Sequence, residues 1–152
     1  WEYCPLTGHY YRLTEGGLTW HQAQQAAVDL GGYLTTVNDV RENTWLFWTF
    51  ANRGIPLFIG LTDEAQDGNW VWANGETPGY FFWNGGEQNG STGENWAEYA
   101  AGGTWNDASN YGHCGIIERD TPPEPFTFQT PVHTYAGSGT YTVTPTTGNC
   151  LG

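Results

Sequence analysis

The stretch "TWHQAQQAAVDLGG", Thr19–Gly32, spells a helix with both ends marked. Thr19 can cap it, and Gln22 stands three positions on, as in a capping box. Trp20, Ala23, Ala27 and Leu30 recur at helical spacing, and Gly31 supplies the stop. A second helix is expected from Asn38 or Asp39 through "VRENTWLFWTFA", with Trp45 and Trp48 or Phe47 turned inward. Ahead of both, "HYYRLTE" reads as a strand. After them the pattern changes to short strands, "LFIGLT", "NWVWAN", "YFFW", "WAEYA" and "CGIIER", separated by loops rich in Gly, Asn and Asp. Two helices followed by a run of antiparallel strands predict an α+β fold.

Composition narrows the function. Among 152 residues there are 16 acidic side chains against four basic ones, the arginines Arg12, Arg41, Arg53 and Arg119, for a formal charge of -12. Nucleic acid and anionic membranes both need a positive footprint, so neither is expected as a partner. No apolar run approaches the roughly 20 residues of a membrane helix. Nine tryptophans, nine tyrosines and seven phenylalanines in a glycine-rich chain suit a loop-rich extracellular domain. The start at Trp1 and the lack of methionine fit a removed initiator or leader, and hence export. Three cysteines, Cys4, Cys114 and Cys150, leave two options: one pair with a free thiol, or a bond to another chain.

Near the C-terminus, "RDTPPEP" breaks the composition, because clustered prolines cannot continue a central strand. This divides the chain into a domain over 1–118, a Pro-rich linker over 119–125 and a tail over 126–152. The tail reads as a β-hairpin turning at Ala136–Gly139, with Thr140, Tyr141, Thr142 and Val143 in alternation. An isolated hairpin is marginal in water. It must therefore cover its own domain, add to a neighbour's sheet and so build a filament, or link to a further domain.

The loop "GGEQNGSTGENWAEY", Gly85–Tyr99, carries Glu87, Asn89, Glu94, Asn95 and Glu98 without a basic residue. Asn106 and Asp107 follow in "GTWND". Crowded carboxylates drive protons back on unless a cation sits among them. Hard oxygen donors on a flexible loop select Ca2+ over zinc or copper. The bland alternative is a solvated acidic loop. Glycosidase chemistry would also need paired carboxylates, but nothing places Glu87 and Glu94 across a cleft, so no catalysis is implied. The four histidines show no metal spacing, and Trp83 and Trp96, flanking the loop, read as core.

Over about residues 7–118 the chain resembles the C-type lectin-like domain. The matching pieces are Trp20–Leu34, Phe58–Trp72, "GEQN" (Gly86–Asn89), "GEN" (Gly93–Asn95), "WND" (Trp105–Asp107) and the closing "GIIE". The resemblance implies calcium held by Glu87, Asn89, Glu94, Asn106 and Asp107. It also implies a sugar on the ion, hydrogen-bonded to Glu87, Glu94, Asn89 and Asn106. Glu before Asn in the loop resembles the mannose/glucose type. Asp63 and Asp67, with Asn95 and a shared Glu94, match an auxiliary metal site; otherwise Asp63 and Asp67 only shape a turn.

Three departures stand out. Gln88 occupies the position of a proline that is often cis, so either bound metal holds a cis bond or the loop runs trans and its ligands splay. Ala27 with Ile117, and Trp96 with Asn110, stand where the family has disulfides. The tail resembles the last hairpin of a polycystic-kidney-disease-type Ig-like repeat over His133–Val143. The expected function is thus a secreted or cell-surface glycan-binding module. The other reading is a structural subunit that pairs with copies of itself through the tail.

Overall fold

The computed structural model describes residues 1–88 and 93–124, so the tail hairpin, Cys150 and Asn89 lie outside the described residues. Strands β1 (Glu2–Tyr3) and β2 (Tyr10–Leu13) precede helix α1 (Trp20–Asp29), β3 (Tyr33–Leu34) and helix α2 (Val40–Leu46). Then come β4 (Leu57–Thr62), β5 (Val71–Trp72), β6 (Trp96–Tyr99), β7 (Trp105–Ala108) and β8 (Cys114–Arg119). The sheet order is β1-β2-β8-β4-β6-β7, with β3 on β8 and β5 on β4.

The helix signals act as their chemistry dictates. The Thr19 side chain accepts from the Gln22 N–H while the Gln22 side chain accepts from the Thr19 N–H, closing the capping box. At the far end Gly31 takes φ +74, and Gly32 and Gly31 donate to the carbonyls of Ala27 and Val28. That pair of bonds satisfies the last carbonyls of the helix. Leu30, expected inward, is 40% exposed because it sits past the last packed turn. α2 is capped by Asp39, whose carboxylate accepts from the Arg41 and Glu42 N–H groups, and it runs on into a π-helical turn, Phe47–Ala51. The wider turn rotates the apolar stripe, leaving Trp48 65% exposed while Phe50 and Ala51 are buried.

Two expectations about strands are corrected. "YFFW" forms no strand; only Trp83 bridges to Trp105, and Phe81 and Phe82 remain partly exposed. The sheet is mixed rather than antiparallel throughout, because β4 pairs β8 in parallel.

β4 is buried on both faces, as its unbroken "LFIGL" implies. Successive side chains of a strand point to opposite faces. Phe58 joins Trp20, Ala23, Leu34, Trp96 and Ala108 under α1. Ile59 joins the larger core with Leu46, Phe50, Trp72, Tyr99 and Trp105 on the other side. Gly60 is required in β4, because a Cβ there would strike the Leu34 carbonyl. Ala27 and Ile117 are fully buried, so apolar packing stands in for one disulfide. At the other, Asn110 accepts from the Trp20 N–H at 2.8 Å and Trp96 is buried. Cys4 is a buried free thiol and Cys114 is disulfide-bonded.

Candidate metal centre

The β4–β5 turn supplies the first wall. Asp63 follows β4 directly, and its N–H donates to the Asn95 carbonyl at 3.2 Å, while the Thr62 hydroxyl donates to the same carbonyl at 2.7 Å. These bonds tie the turn to the start of β6. One carboxylate oxygen of Asp63, Oδ2, accepts from the Gly68 N–H at 2.8 Å and shapes the turn. The other, Oδ1, is buried with no hydrogen-bond partner. A buried acceptor left unmatched is costly, and such atoms in native proteins call for an explanation.

Asp63 lines a cavity of about 320 Å3 together with Asp67, Gly68, Trp70, Gln88, Glu94 and Asp107. Four of these are carboxylates and none is basic. Burial raises the Asp63 carboxyl above its ordinary range; the Gly68 N–H opposes this, and the charges of Asp67 and Asp107 add to it.

Asp107 joins this cavity to the long loop. It is 2% exposed on β7, opposite Ala97, and accepts from the Gln88 N–H at 3.0 Å. Glu87 is in hydrogen-bond contact with Asp107, beside which its own negative charge is disfavoured. Burial raises Glu87 first, then that bond, then the charges of Asp107 and Glu94, against the Asn84 amide. The loop runs trans up to Gln88, the second of the courses expected there, and the ligand Asn89 lies outside the described residues. No described peptide bond is cis, and Gln88 instead adopts φ +65, a left-handed conformation strained for a side chain of its kind. Its N–H keeps the loop on Asp107, and Glu87 is not splayed away.

Asn106 faces Glu98 across the β6–β7 pair. Its Nδ2 donates to Glu98 Oε1 at 3.3 Å and to the Asp107 carbonyl at 2.8 Å. Both N–H bonds of the amide are therefore used within the chain, and Oδ1 is the atom left for a ligand role. Glu98 is 8% exposed, and its carboxyl is pushed up to about 7, chiefly by burial, with Glu94 adding and Asn106 opposing.

The predicted residues therefore fall into place unevenly. Asp63, Asp67, Glu94 and Asp107 share one cavity, and Glu87 reaches it through Asp107. Asn95 contributes its backbone carbonyl and does not line the cavity. Asn106 lies behind Asp107 on the same strand. Among the described residues no three His, Cys, Asp or Glu side chains close into a metal cluster. The donor chemistry nonetheless fits a hard cation, with oxygens only, no competing base, and a partnerless buried oxygen on Asp63. Trp70, whose indole lines the cavity and packs on Trp83 at 4.6 Å, and Glu98 were given no site role from sequence. An acid at a buried position of the apolar strand "WAEY" was the signal for Glu98. Trp96 is 8% exposed and Trp83 packs between Trp70 and Trp105, so both serve the core.

Comparison with known proteins agrees with this architecture. The chain is 35% identical over 99 residues to the low affinity immunoglobulin epsilon Fc receptor of Mus musculus, matching 64% of this chain and 29% of the receptor. It is 32% identical over 110 residues to the hepatic lectin of Gallus gallus, matching 70% of this chain and 51% of that protein. The chain thus spans about half of one of these relatives and less than a third of the other. Among solved structures it resembles the cow C-type carbohydrate-recognition domain of CD23, solved in the presence of a GlcNAc2Man3 oligosaccharide. That match has a TM-score of 0.67 and 29% identity and covers 76% of this chain and 95% of the other. The model of the lectin C-type domain matches residues 16–117, and the chain belongs to that family.

Proposed function

We propose that this chain is a calcium-dependent glycan-binding module, of the mannose/glucose type, working outside the cell. The observation that carries the reading is the cavity of Asp63, Asp67, Glu94 and Asp107, with Asp63 Oδ1 buried and lacking any hydrogen-bond donor. A divalent cation supplies the missing positive charge and relieves the repulsion among these carboxylates. C-type lectin domains generally bind calcium, and this donor set has the hardness for it. Glu87, Asn89, Glu94, Asn106 through Oδ1, and Asp107 would hold the main ion; Asp63 and Asp67 would hold an auxiliary one.

The bound ion supplies a coordination point for two sugar hydroxyls. The chain's own part is to orient them. Carboxylates at Glu87 and Glu94 accept from hydroxyls, and the Asn89 amide donates. Asn106 keeps its amide hydrogens on Glu98 and Asp107 and contributes its oxygen. The order Glu87 then Asn89 supports vicinal equatorial hydroxyls, and hence mannose or glucose. The relatives named above include a hepatic lectin and a carbohydrate-recognition domain solved with an oligosaccharide, which supports a glycan partner. Among the described residues no helix is long and apolar enough to cross a membrane.

The test is a calorimetric calcium titration of the metal-stripped protein, repeated with Glu87→Ala, then mannose added to the loaded form. The expected result is calcium binding that Glu87→Ala weakens at least tenfold, and mannose binding seen only with calcium present. Calcium uptake with no response to mannose, glucose or related sugars would leave a metal-stabilised scaffold. No calcium uptake would sink the reading.

A further inference from the structure

We infer that Glu98 is a positioning residue for the ion site, fixing the Asn106 carboxamide so that its oxygen rather than its nitrogen is presented as a ligand. The inference rests on the calcium reading above.

A carboxamide is nearly symmetric in shape, and a half-turn about its last bond exchanges a ligand oxygen for an NH2 group that repels a cation. Something must choose. Glu98 lies directly opposite Asn106 in the β6–β7 register, and Oε1 takes an Nδ2 hydrogen at 3.3 Å. With Nδ2 donating to Oε1, the amide is held in the orientation that leaves Oδ1 free. The Asp107 carbonyl takes the second hydrogen at 2.8 Å and enforces the same choice.

Glu98 is also an expensive residue in this place. It is 8% exposed and pairs with Phe58 of the central strand β4 on its other side. Its second oxygen, Oε2, makes no hydrogen bond; the nearest base is the His113 ring, with Nε2 at 3.5 Å. A valine would suit such a strand position better on packing grounds alone. An acid kept where an apolar residue would be more stable indicates work other than folding, and the bond to Asn106 identifies that work. Partners behind metal ligands commonly set affinity by ~10–100-fold.

Two variants separate this role from a structural one. Glu98→Val removes the acceptor and favours the strand; Glu98→Gln keeps an acceptor of the same shape. Calcium affinity is expected to fall about tenfold or more in Glu98→Val and less in Glu98→Gln, whose amide oxygen can still accept from Asn106 Nδ2 but whose NH2 does not exclude the other orientation. Thermal stability of metal-free Glu98→Val should be equal to wild type or higher. Nitrogen-edited NMR of the metal-free proteins gives a readout that needs no ion. The Asn106 side-chain NH2 should exchange slowly in wild type and markedly faster in Glu98→Val. Equal exchange in the two, or wild-type calcium affinity in Glu98→Val, would overturn the inference while leaving the calcium reading intact. Affinity and stability lost together, without recovery in Glu98→Gln, would assign Glu98 to folding instead. Wild-type protein that takes up no calcium would overturn both.

Discussion

The chain buries carboxylates in two places and treats them in opposite ways. Glu118, 1% exposed on β8, is surrounded by donors from its own chain. It accepts from His9 Nδ1 at 2.6 Å, the Tyr11 hydroxyl at 3.2 Å, the Thr35 hydroxyl at 3.0 Å, and the Thr36 N–H and hydroxyl at 2.9 and 3.3 Å. Its neighbour Glu42 accepts from the Asn38 N–H at 2.7 Å and from the same tyrosine at 2.9 Å. At the loop end of the sheet the donors are withheld. Asp63 Oδ1 is buried without a hydrogen bond, and no base lines the cavity beside Asp63; Glu98 Oε2 likewise makes no hydrogen bond, with the His113 ring 3.5 Å away. The first region shows that this fold can satisfy a buried acid internally. Where it declines to do so, the missing charge has to come from outside, and a bare acidic cluster becomes an argument for a ligand.

The sharpest way to break that comparison is to delete one acid from each region. Glu118→Leu should leave His9, Tyr11, Thr35 and Thr36 facing an apolar side chain. Stripping the partner from buried polar groups typically costs ~3–5 kcal/mol, or roughly 10 °C of melting temperature in a chain this size. Thermal denaturation, with or without calcium, should show the loss. Asp63→Asn should do the reverse in metal-free protein. The amide oxygen can still accept from the Gly68 N–H, and a like charge is removed, so stability should hold or rise slightly. What Asp63→Asn should lose is the gain from added calcium, which for wild type would be about 2.7 kcal/mol at a hundredfold excess over Kd. Equal destabilisation by both substitutions in metal-free protein would show that the two regions do not differ.

How much of this was legible in the sequence follows the same division. Local chemistry was readable. The capping box at Thr19 and Gln22, the glycine stop at Gly31 and the β4 segment Leu57–Thr62 all stand where the residues placed them. Asp63, Asp67, Glu94 and Asp107, which the resemblance picked out, line one cavity. Long-range partners were not readable. Nothing near Glu118 in the chain announces Thr35 and Thr36, which reach it only because β3 lies on β8. Asn43, whose Nδ2 donates to the Gly103 carbonyl and whose oxygens accept from the Tyr99 hydroxyl and the Trp105 indole, sits in an ordinary helical context. Of the two alternatives expected inward, Phe47 packs against the core and Trp48 is exposed, because a π-helical turn changes the period there.

Titration sharpens the contrast at a smaller scale. Burial pushes Glu42 up to about 7, with the charge of Glu118 adding and the Asn38 N–H and Tyr11 hydroxyl opposing; Glu98 is likewise raised to about 7. A carboxyl raised on folding binds its proton more tightly in the folded state, so its contribution is complete below about 4.5 and is lost as pH climbs through 7. His9 is raised by its bond to Glu118 against desolvation, and its share is present below about 6.5 and lost as pH rises through its folded value. These three act in one direction, while His113, lowered by burial, opposes them with a share that is lost as pH falls. Metal-free protein should therefore melt a few degrees lower at pH 8 than at pH 5. Glu42→Gln should flatten that slope in part. A melting temperature that climbs steadily from pH 5 to 8 would contradict the buried-acid account of both regions.

The smallest expected effect lies where an internal partner is exposed rather than buried. Asn110 stands at a position where the family has a half-cystine, and its Oδ1 accepts from the Trp20 N–H at 2.8 Å. It thus satisfies a donor in the first turn of α1 that Thr19 does not reach. Removing an exposed cap of this kind costs ~1 kcal/mol, because water can take over the N–H once the side chain is gone. Asn110→Ala should lower the melting temperature by roughly 2–4 °C and leave calcium binding unchanged. Set beside Glu118→Leu, it separates two variables, since both substitutions remove an acceptor and only one does so away from water. If Asn110→Ala proved as damaging as Glu118→Leu, burial would not be what makes an internal partner valuable here. The case for an outside charge at Asp63 would then lose its footing.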